Sequence, residues 1–192
     1  MSKLKNLVLK NRSYRGYDRS IRQTKKELME LIDHARLMPA ARNAQPLKYF
    51  LAFEDEVVSA ILPHTFWAGS LPDLDLPFDG TEPTSFIVIL QDTKLQPVLT
   101  QFQTDVGISA ATITLAATEK GLGCCMIGSY SATGIKEVMR LPEHLVPVLL
   151  IAIGKPAEKI VLIDAETTDT TYYRDNFTHY VPKRKLEDIV ID

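Results

Sequence analysis

Residues 105–128, DVGISAATITLAATEKGLGCCMIG, contain the pattern that decides the fold. No charged side chain occurs between Asp105 and Glu119, and nearly every residue between them is small or β-branched. A charge-free run of this length, opened by an acidic residue and followed by Gly121, predicts a helix buried on most of its circumference. The residues after Gly123, CCMIG, predict a short buried strand, and the turn before it must hold the backbone close to a neighbouring group.

The composition of this helix bears on assembly. Gly107, Ser109, Ala110 and Ala111 allow another backbone to approach closely, whereas a core helix of a monomer usually carries more Leu and Phe. We therefore expect part of the helix to face a second subunit. An ordinary central core helix remains the alternative.

The 192 residues suit one domain over 1–192, with 45% hydrophobic and 24% charged residues, as in ordinary globular proteins. No apolar run approaches the roughly 20 residues that span a bilayer, and the N-terminal segment lacks a signal-peptide core. The only cysteines, Cys124 and Cys125, are adjacent, which excludes a disulfide framework. We expect a cytoplasmic protein that does not enter the membrane.

Charge is distributed unevenly along the chain. Residues 1–26 contain nine Lys or Arg against one Asp, whereas the rest carries 13 basic and 23 acidic side chains. A second basic group lies at 183–185. Either these side chains form solvated faces, or a few of them converge on an anion. A nucleic-acid surface is disfavoured, because aromatic residues do not interleave with the basic ones and the chain as a whole is acidic.

The best candidate for anion binding is NRSYR at 11–15, just after a predicted helix end. Arg12, Ser13 and Arg15 place two guanidinium groups and a hydroxyl within four residues. Arginine donates two parallel hydrogen bonds to phosphate oxygens, and serine adds a short directional donor.

Helices alternate with strands along the chain. A capping box at Thr24–Glu27 begins the second predicted helix. On the N-terminal helix, the spacing of Leu4, Leu7 and Val8 predicts that these side chains face inward. Helices are predicted at 2–10, 24–38, 54–62, 105–119 and 131–140, and strands at 47–53, 85–90, 124–128 and 145–154. This order predicts α/β layering, with helices covering a central sheet. The segment 156–180 is polar, and the residues after it predict a strand or a tail.

Two loops carry candidate ligand-binding groups. Between Pro39 and Pro46, the amides of Asn43 and Gln45 could contact the edge of a planar heterocycle or tie down the loop itself. The long segment 64–84 contains Phe66, Trp67 and Phe78, which could cover a flat ligand or pack the segment onto the core.

Several kinds of chemistry are disfavoured. Gly121 and Gly123 follow a helix and precede a strand, the reverse of the dinucleotide-binding arrangement. The four histidines are scattered without metal-ligand spacing, no nucleophile motif occurs, and cysteines in an apolar strand are usually inert. If the chain is an enzyme, a cofactor supplies the chemistry.

Four segments together resemble the nitroreductase family: NRSYRGYD, HARLMPAARNAQPLKYFLAF, DVGISAATITLAATEKGLGCCMIG and LLIAIGKPAE. Their order and spacing hold across nearly the whole chain. HYVPKRKLEDIV and Trp67-Ala68-Gly69 are similar to a compact subgroup. The resemblance implies an α+β sandwich with a central, mainly antiparallel sheet flanked by helices. It also implies an intertwined homodimer with two FMN sites at its interface.

The resemblance assigns cofactor-binding roles residue by residue. The 11–15 turn is expected to bind the phosphate and the pyrimidine edge of FMN, and the C-terminal basic group to add further phosphate ligands. The 126–128 strand is expected to contact the ring, and the 39–43 loop to reach the flavin from the other subunit. The residues are Arg12, Ser13, Arg15, Pro39, Ala40, Ala41, Asn43, Met126, Ile127, Gly128, Lys183 and Arg184, with Phe66 and Trp67 as substrate contacts. Two positions depart from the family pattern: Asn11 replaces an Arg, and Ala40 replaces a Ser.

The implied activity is that of an FMN-dependent oxidoreductase in which NADH or NADPH and an electron-poor acceptor, such as a nitroaromatic or quinone, occupy one site in turn. The flavin performs the chemistry, no side chain is catalytic, no metal is needed, and Arg15 tunes the ring. The alternatives are a flavin-binding protein that stores or senses FMN and, from charge alone, a nucleic-acid binder.

Overall fold

The computed structural model describes residues 2–176 and 178–191. The helices are α1 (Lys3–Lys10), α2 (Lys25–Arg36), α3 (Asp55–Ile61), α4 (Gln103–Glu119) and α5 (Ala132–Val138). The strands are β1 (Tyr17–Asp18), β2 (Leu47–Ala52), β3 (Ser85–Asp92), β4 (Gly123–Ile127), β5 (Leu145–Pro156), β6 (Lys159–Asp164), β7 (Tyr173–Asp175) and β8 (Thr178–Lys183). The predicted helices and strands therefore form, with ends shifted by a few residues.

The long strand β5 organises the central sheet. It pairs antiparallel with β3 on one side, and with β4 and β1 in succession on the other, while β2 extends the sheet beyond β3. Every pair in this sheet is antiparallel, as expected for a mainly antiparallel centre.

Alternating side chains of β3 bury the two faces of the sheet under different helices. Phe86 and Val88 pack in the core that includes α3 and α5, whereas Ile87 and Ile89 pack in the core that includes α2 and α4. All four side chains are fully buried. The result is the predicted sandwich of a central sheet between helical layers.

The glycines after α4 serve the fold. Gly121 has φ of +75°, and its N–H donates to the Thr118 carbonyl (3.0 Å) while that of Leu122 donates to the Ala117 carbonyl (2.9 Å). This is the Schellman ending, in which a left-handed residue closes a helix. At Gly123 a Cβ would lie 2.6 Å from the ring of Tyr14, so the group held close to this backbone is the tyrosine.

The small residues of α4 divide between two environments. Ser109 and Ala110 are buried inside the chain, whereas Gly107 and Ala111 are exposed. A Cβ at Gly107 would meet no atom within 4 Å. One stripe of this helix therefore has no cover within the chain.

Helix α1 differs from expectation. None of its residues is buried, and Leu4 and Val8 are exposed, although the sequence pattern places them inward with Leu7. The helix contacts α4, but the described chain supplies no layer over its other apolar positions.

A second sheet occupies the polar segment where no strands were predicted before residue 180. Its order is β6-β8-β7, with β6 parallel to β8 and β7 antiparallel to it. These strands are short and mostly half-exposed, so their hydrophobic pattern is weak. No helix among the described residues has the length and apolarity needed to cross a membrane.

Candidate cofactor site

The 11–15 turn is fixed to the core by three contacts. The Asn11 amide donates to the Thr114 hydroxyl of α4 (2.9 Å), and the Tyr14 N–H donates to the Cys124 carbonyl at the start of β4 (2.9 Å). The Arg15 N–H donates to the carboxylate of Glu158. Asn11, which stands where the resemblance leads one to expect an arginine, therefore ties the turn to the central helix.

Both ends of the chain meet at one cavity of about 330 Å³, here called the first cavity. Arg12, Ser13 and Arg15 line it from the turn, Met126 from β4, and Lys183 from the end of β8. The structure therefore brings Lys183 to the same space as Arg12 and Arg15, although about 170 residues separate them in sequence.

Several buried donors at this cavity lack a partner among the described residues. The Nε atoms of Arg12 and Arg15 and Nδ1 of His179 are all buried and unpaired. Buried polar groups are nearly always hydrogen-bonded, so this set calls for acceptor atoms. FMN, with an anionic phosphate and a ring edge rich in acceptors, fits such donors.

Apart from the residues of the 39–43 loop, three predicted cofactor residues do not line the first cavity. Ile127 is buried, and Gly128 is exposed where the chain leaves β4. The Arg184 side chain is exposed and donates to the Thr168 carbonyl (3.3 Å).

The 39–45 loop borders a different space, a second cavity of about 230 Å³ that includes Pro39, Ala40 and Asp105 in its lining. Both carboxylate oxygens of Asp105 lie 3.1 Å from the Ala41 N–H. Within one chain this loop and the 11–15 turn thus belong to separate cavities.

The backbone of this loop is strained. Arg42, Asn43 and Gln45 have φ of +54°, +53° and +47°, a region that non-glycine residues rarely occupy. The Gln45 amide donates to the Asn43 side-chain oxygen (3.0 Å). These two amides therefore bond to each other, which favours the loop-stabilising alternative for them.

The aromatic residues of the 64–84 segment occupy different environments. Phe66 is 57% exposed, and its N–H donates to the Ser129 carbonyl (2.9 Å) just beyond β4. Trp67 packs against the core, and its indole N–H donates to the Thr65 hydroxyl (2.8 Å). Phe78 lies beneath the guanidinium of Arg174, 5.8 Å from it.

Sequence analysis missed the residues that the second sheet brings to the turn. His179 on β8 is 2% exposed and lies 3.3 Å from Arg15 (Nε2 to Nη1). The ring of Tyr172 lies 5.0 Å from the Arg15 guanidinium, and Glu158 pairs with Arg174. No local pattern marks a single histidine or tyrosine in a polar segment. Of these residues, only Glu158 could have been singled out from the sequence, because it ends the segment LLIAIGKPAE that carries part of the resemblance. Its carboxylate also accepts the Arg15 N–H.

The titratable groups near the first cavity are unsuited to acid–base work. Burial raises the pKa of the Cys125 thiol to about 11, and burial together with Cys125 raises the pKa of Cys124 still further. Burial and the charges of Arg15 and Arg174 lower the pKa of His179 to about 4. The thiols and the imidazole are therefore neutral near pH 7. Among the described residues, no group of three His, Cys, Asp or Glu side chains could hold a metal ion.

Comparison with known proteins finds similarity to one family. The Nitroreductase family model matches residues 99–155, which run from the approach to α4 through β5. A Methanothermobacter thermautotrophicus protein provisionally named NADH dehydrogenase/NAD(P)H nitroreductase is 28% identical over 152 residues, which cover 77% of this chain and 74% of that protein.

Solved structures share the fold. A nitroreductase family protein from Streptococcus pneumoniae superimposes with a TM-score of 0.72 at 18% identity, covering 99% of this chain and 100% of its own. A provisionally named nitroreductase from Exiguobacterium sibiricum, solved in complex with FMN, gives 0.67 at 20% identity and covers 82% and 90%. The family model matches one segment of the chain, and the relative and the solved structures match most of its length, so the chain is similar to nitroreductase family proteins in sequence and shares their fold.

Proposed function

We propose that this protein is an FMN-dependent oxidoreductase that takes hydride from NADH or NADPH and reduces electron-poor acceptors such as nitroaromatics or quinones. The observation that carries the proposal is the first cavity, where Arg12, Arg15 and Lys183 converge and buried donors lack acceptors. The name of the Methanothermobacter relative and the FMN in the Exiguobacterium structure support it.

Within this proposal, Arg12, Ser13 and Lys183 hold the phosphate, because charge-assisted bonds to phosphate are the strongest that side chains offer. Met126, the one residue of the 126–128 segment that lines the first cavity, would contact the ring. We leave Arg184 out of the phosphate site, since it does not line the first cavity and its exposed side chain bonds to the Thr168 carbonyl instead.

FMN, when bound, supplies the hydride transfer between donor and acceptor. Arg15 contributes a fixed positive charge at the ring edge, where negative charge gathers on reduction, and a charge already oriented there stabilises that change. The buried thiols and the imidazole remain neutral. The chain's own work is then to hold, orient and tune the ring.

We also propose a homodimer in which the loop at the second cavity contributes to the cofactor site of the partner. In one chain the 39–45 loop lies at a different cavity from the 11–15 turn. If two copies pair through the uncovered stripe of α4, Pro39, Ala40, Ala41 and Asn43 of each copy can complete the partner's first cavity. The backbone strain of this loop is typical of a functional site.

For the acceptor, we propose contact with Phe66, which is largely exposed near the end of β4, while Trp67 anchors the segment through its packing. Four acidic residues of the same segment, Asp73, Asp75, Asp79 and Glu82, disfavour anionic acceptors and the extra phosphate of NADPH. We expect NADH to serve at least as well as NADPH.

The test begins with the purified protein. We expect bound flavin absorbance that is bleached rapidly by NADH under anaerobic conditions and restored by a quinone or nitroaromatic. A protein that binds flavin but is not reduced by either nucleotide would be a storage or sensing protein. One that binds no flavin would overturn the proposal.

Site assignment is tested by FMN titration of the apoprotein. Arg12→Ala and Lys183→Ala should each weaken binding roughly 10- to 150-fold, the effect of losing one charge-assisted bond of about 1.5–3 kcal/mol. Arg184→Ala is the matched control from the same basic group and should bind like the wild type. Equal effects at Lys183 and Arg184 would contradict the assignment.

A further inference from the structure

His179 is the one histidine that lines the first cavity, among the described residues. It lies on β8, and the ring of Tyr172 packs against it with centroids 5.1 Å apart. Its exposed fraction is 2%. A polar side chain so deeply buried at a ligand cavity needs hydrogen-bond partners for both ring nitrogens.

Arg15 supplies the partner for one nitrogen. Arg15 Nη1 lies 3.3 Å from His179 Nε2, and a guanidinium can only donate, so Nε2 must accept. The same Arg15 nitrogen donates to the Ser13 carbonyl (3.3 Å), and the guanidinium lies over the Tyr172 ring at 5.0 Å. The imidazole thus helps fix the plane of the arginine from the side of the second sheet.

The other nitrogen then carries the proton. In a neutral imidazole one nitrogen donates and the other accepts, so with Nε2 accepting, Nδ1 bears the hydrogen. Nδ1 is buried and has no partner among the described residues. Burial and the positive charges of Arg15 and Arg174, which face the ring, keep the imidazole neutral by disfavouring a second proton.

We propose that His179 is a ligand-binding and positioning residue, whose Nε2 orients the Arg15 guanidinium and whose Nδ1–H donates to a ring carbonyl oxygen or ring nitrogen of the bound heterocycle. This inference rests on the proposed function, because the heterocycle is taken to be the flavin ring. A neutral donor beside Arg15 suits the uncharged ring edge, whereas the phosphate has Arg12 and Lys183.

The test separates ring from phosphate by titrating apoprotein with FMN and with riboflavin, which lacks the phosphate. His179→Phe removes both bonds while keeping an aromatic ring. It should weaken FMN and riboflavin binding by the same factor, roughly 3- to 10-fold for a neutral hydrogen bond. Lys183→Ala is the matched control and should weaken FMN while leaving riboflavin binding unchanged.

Unchanged binding of both ligands to His179→Phe would overturn the inference, as would weakening of FMN alone, which would place the contact at the phosphate. Wild-type protein that binds neither ligand would instead overturn the proposed function. If His179→Phe does not fold, the ring tautomer of the wild type decides. Nitrogen NMR should show the proton on Nδ1 and a shift of that nitrogen on FMN addition, with signals assigned by replacing His34, His64 and His144 in turn. A proton on Nε2 would overturn the inference.

Discussion

Asp105 joins the central helix to the strained 39–45 loop. Its carboxylate accepts the Ala41 N–H, and it lies in the first turn of α4, where a negative charge is favourable. Asp105→Asn weakens both interactions. We expect the free energy of unfolding to fall by about 1–3 kcal/mol, measured by urea denaturation.

The control for this variant is Glu56→Gln, because Glu56 is an exposed acidic residue in the first turn of α3. Neutralising it should change the free energy of unfolding by no more than about 0.5 kcal/mol. A similar loss in both variants would show that Asp105 acts only through the helix dipole.

His179 should make stability depend on pH. Its pKa is lowered from 6.5 to about 4, so between these values the unfolded chain binds a proton that the folded chain does not. The free energy of unfolding therefore falls as the pH drops from 6.5 towards 4, by on the order of 2 kcal/mol from this group. Urea denaturation of the wild type and His179→Gln across this range measures the difference.

The variant should lose stability less steeply on acidification than the wild type. His34→Gln, which changes an exposed histidine on α2, should keep the wild-type pH dependence. If His179→Gln is as pH-sensitive as the wild type, the histidine has the same pKa in the folded and unfolded chain, and the inference from its neighbours is wrong.

Some residues of the candidate site could be predicted from the sequence, and others could not. The group at 11–15 was a candidate because two arginines and a serine adjoin, and Lys183 because it lies in a basic cluster. His179 carried no such mark. Its position depends on β8 pairing with β6, a contact between segments some 20 residues apart that no local pattern encodes.

At the scale of elements, α4, β3 and β5 were predictable because each contains a long run without charged side chains. The second sheet was not, because its strands are short and mostly half-exposed. A buried ion pair helps to hold it: Glu158 bonds to Arg174 of β7 and to the Arg15 backbone. The sheet is thus attached to the 11–15 turn by hydrogen bonds of a charged carboxylate, which hydrophobic periodicity cannot detect.

Removing one member of this pair should be costly. Glu158→Gln leaves the buried Arg174 without its counter-charge, and we expect a loss of roughly 3–5 kcal/mol in the free energy of unfolding. Arg174→Met added to Glu158→Gln should recover part of that loss, since no unpaired charge remains.

The exposed pair Arg19–Glu82 is the control, and Glu82→Gln should lower the free energy of unfolding by about 1 kcal/mol or less. A double variant no more stable than Glu158→Gln would count against the ion pair.

At the scale of the whole molecule, apolar surface remains uncovered in a single chain. Leu4 and Val8 of α1 are exposed, as are Gly107 and Ala111 of α4, and Ile189 near the C-terminal end. Helices α1 and α4 contact each other, so their exposed positions lie on neighbouring elements, and a large exposed apolar patch often marks an interface. The two cavities, each lined by part of the expected cofactor residues, point the same way, towards a dimer that joins them.

The final prediction concerns this assembly. Ala111→Arg places a long charged side chain on the uncovered stripe of α4, which is tolerated in one chain but not inside an interface, where an unpaired charge is costly. If this stripe forms an obligate dimer burying more than about 2,000 Å², sedimentation should show the wild type as a dimer and the variant as a monomer. FMN binding by the variant should also weaken, because the partner's 39–45 loop is lost.

Thr133→Arg, at an exposed position of α5, is the control and should remain dimeric and bind FMN normally. A wild-type monomer that retains FMN would show that the first cavity is complete within one chain, and an Ala111→Arg dimer would place the interface elsewhere.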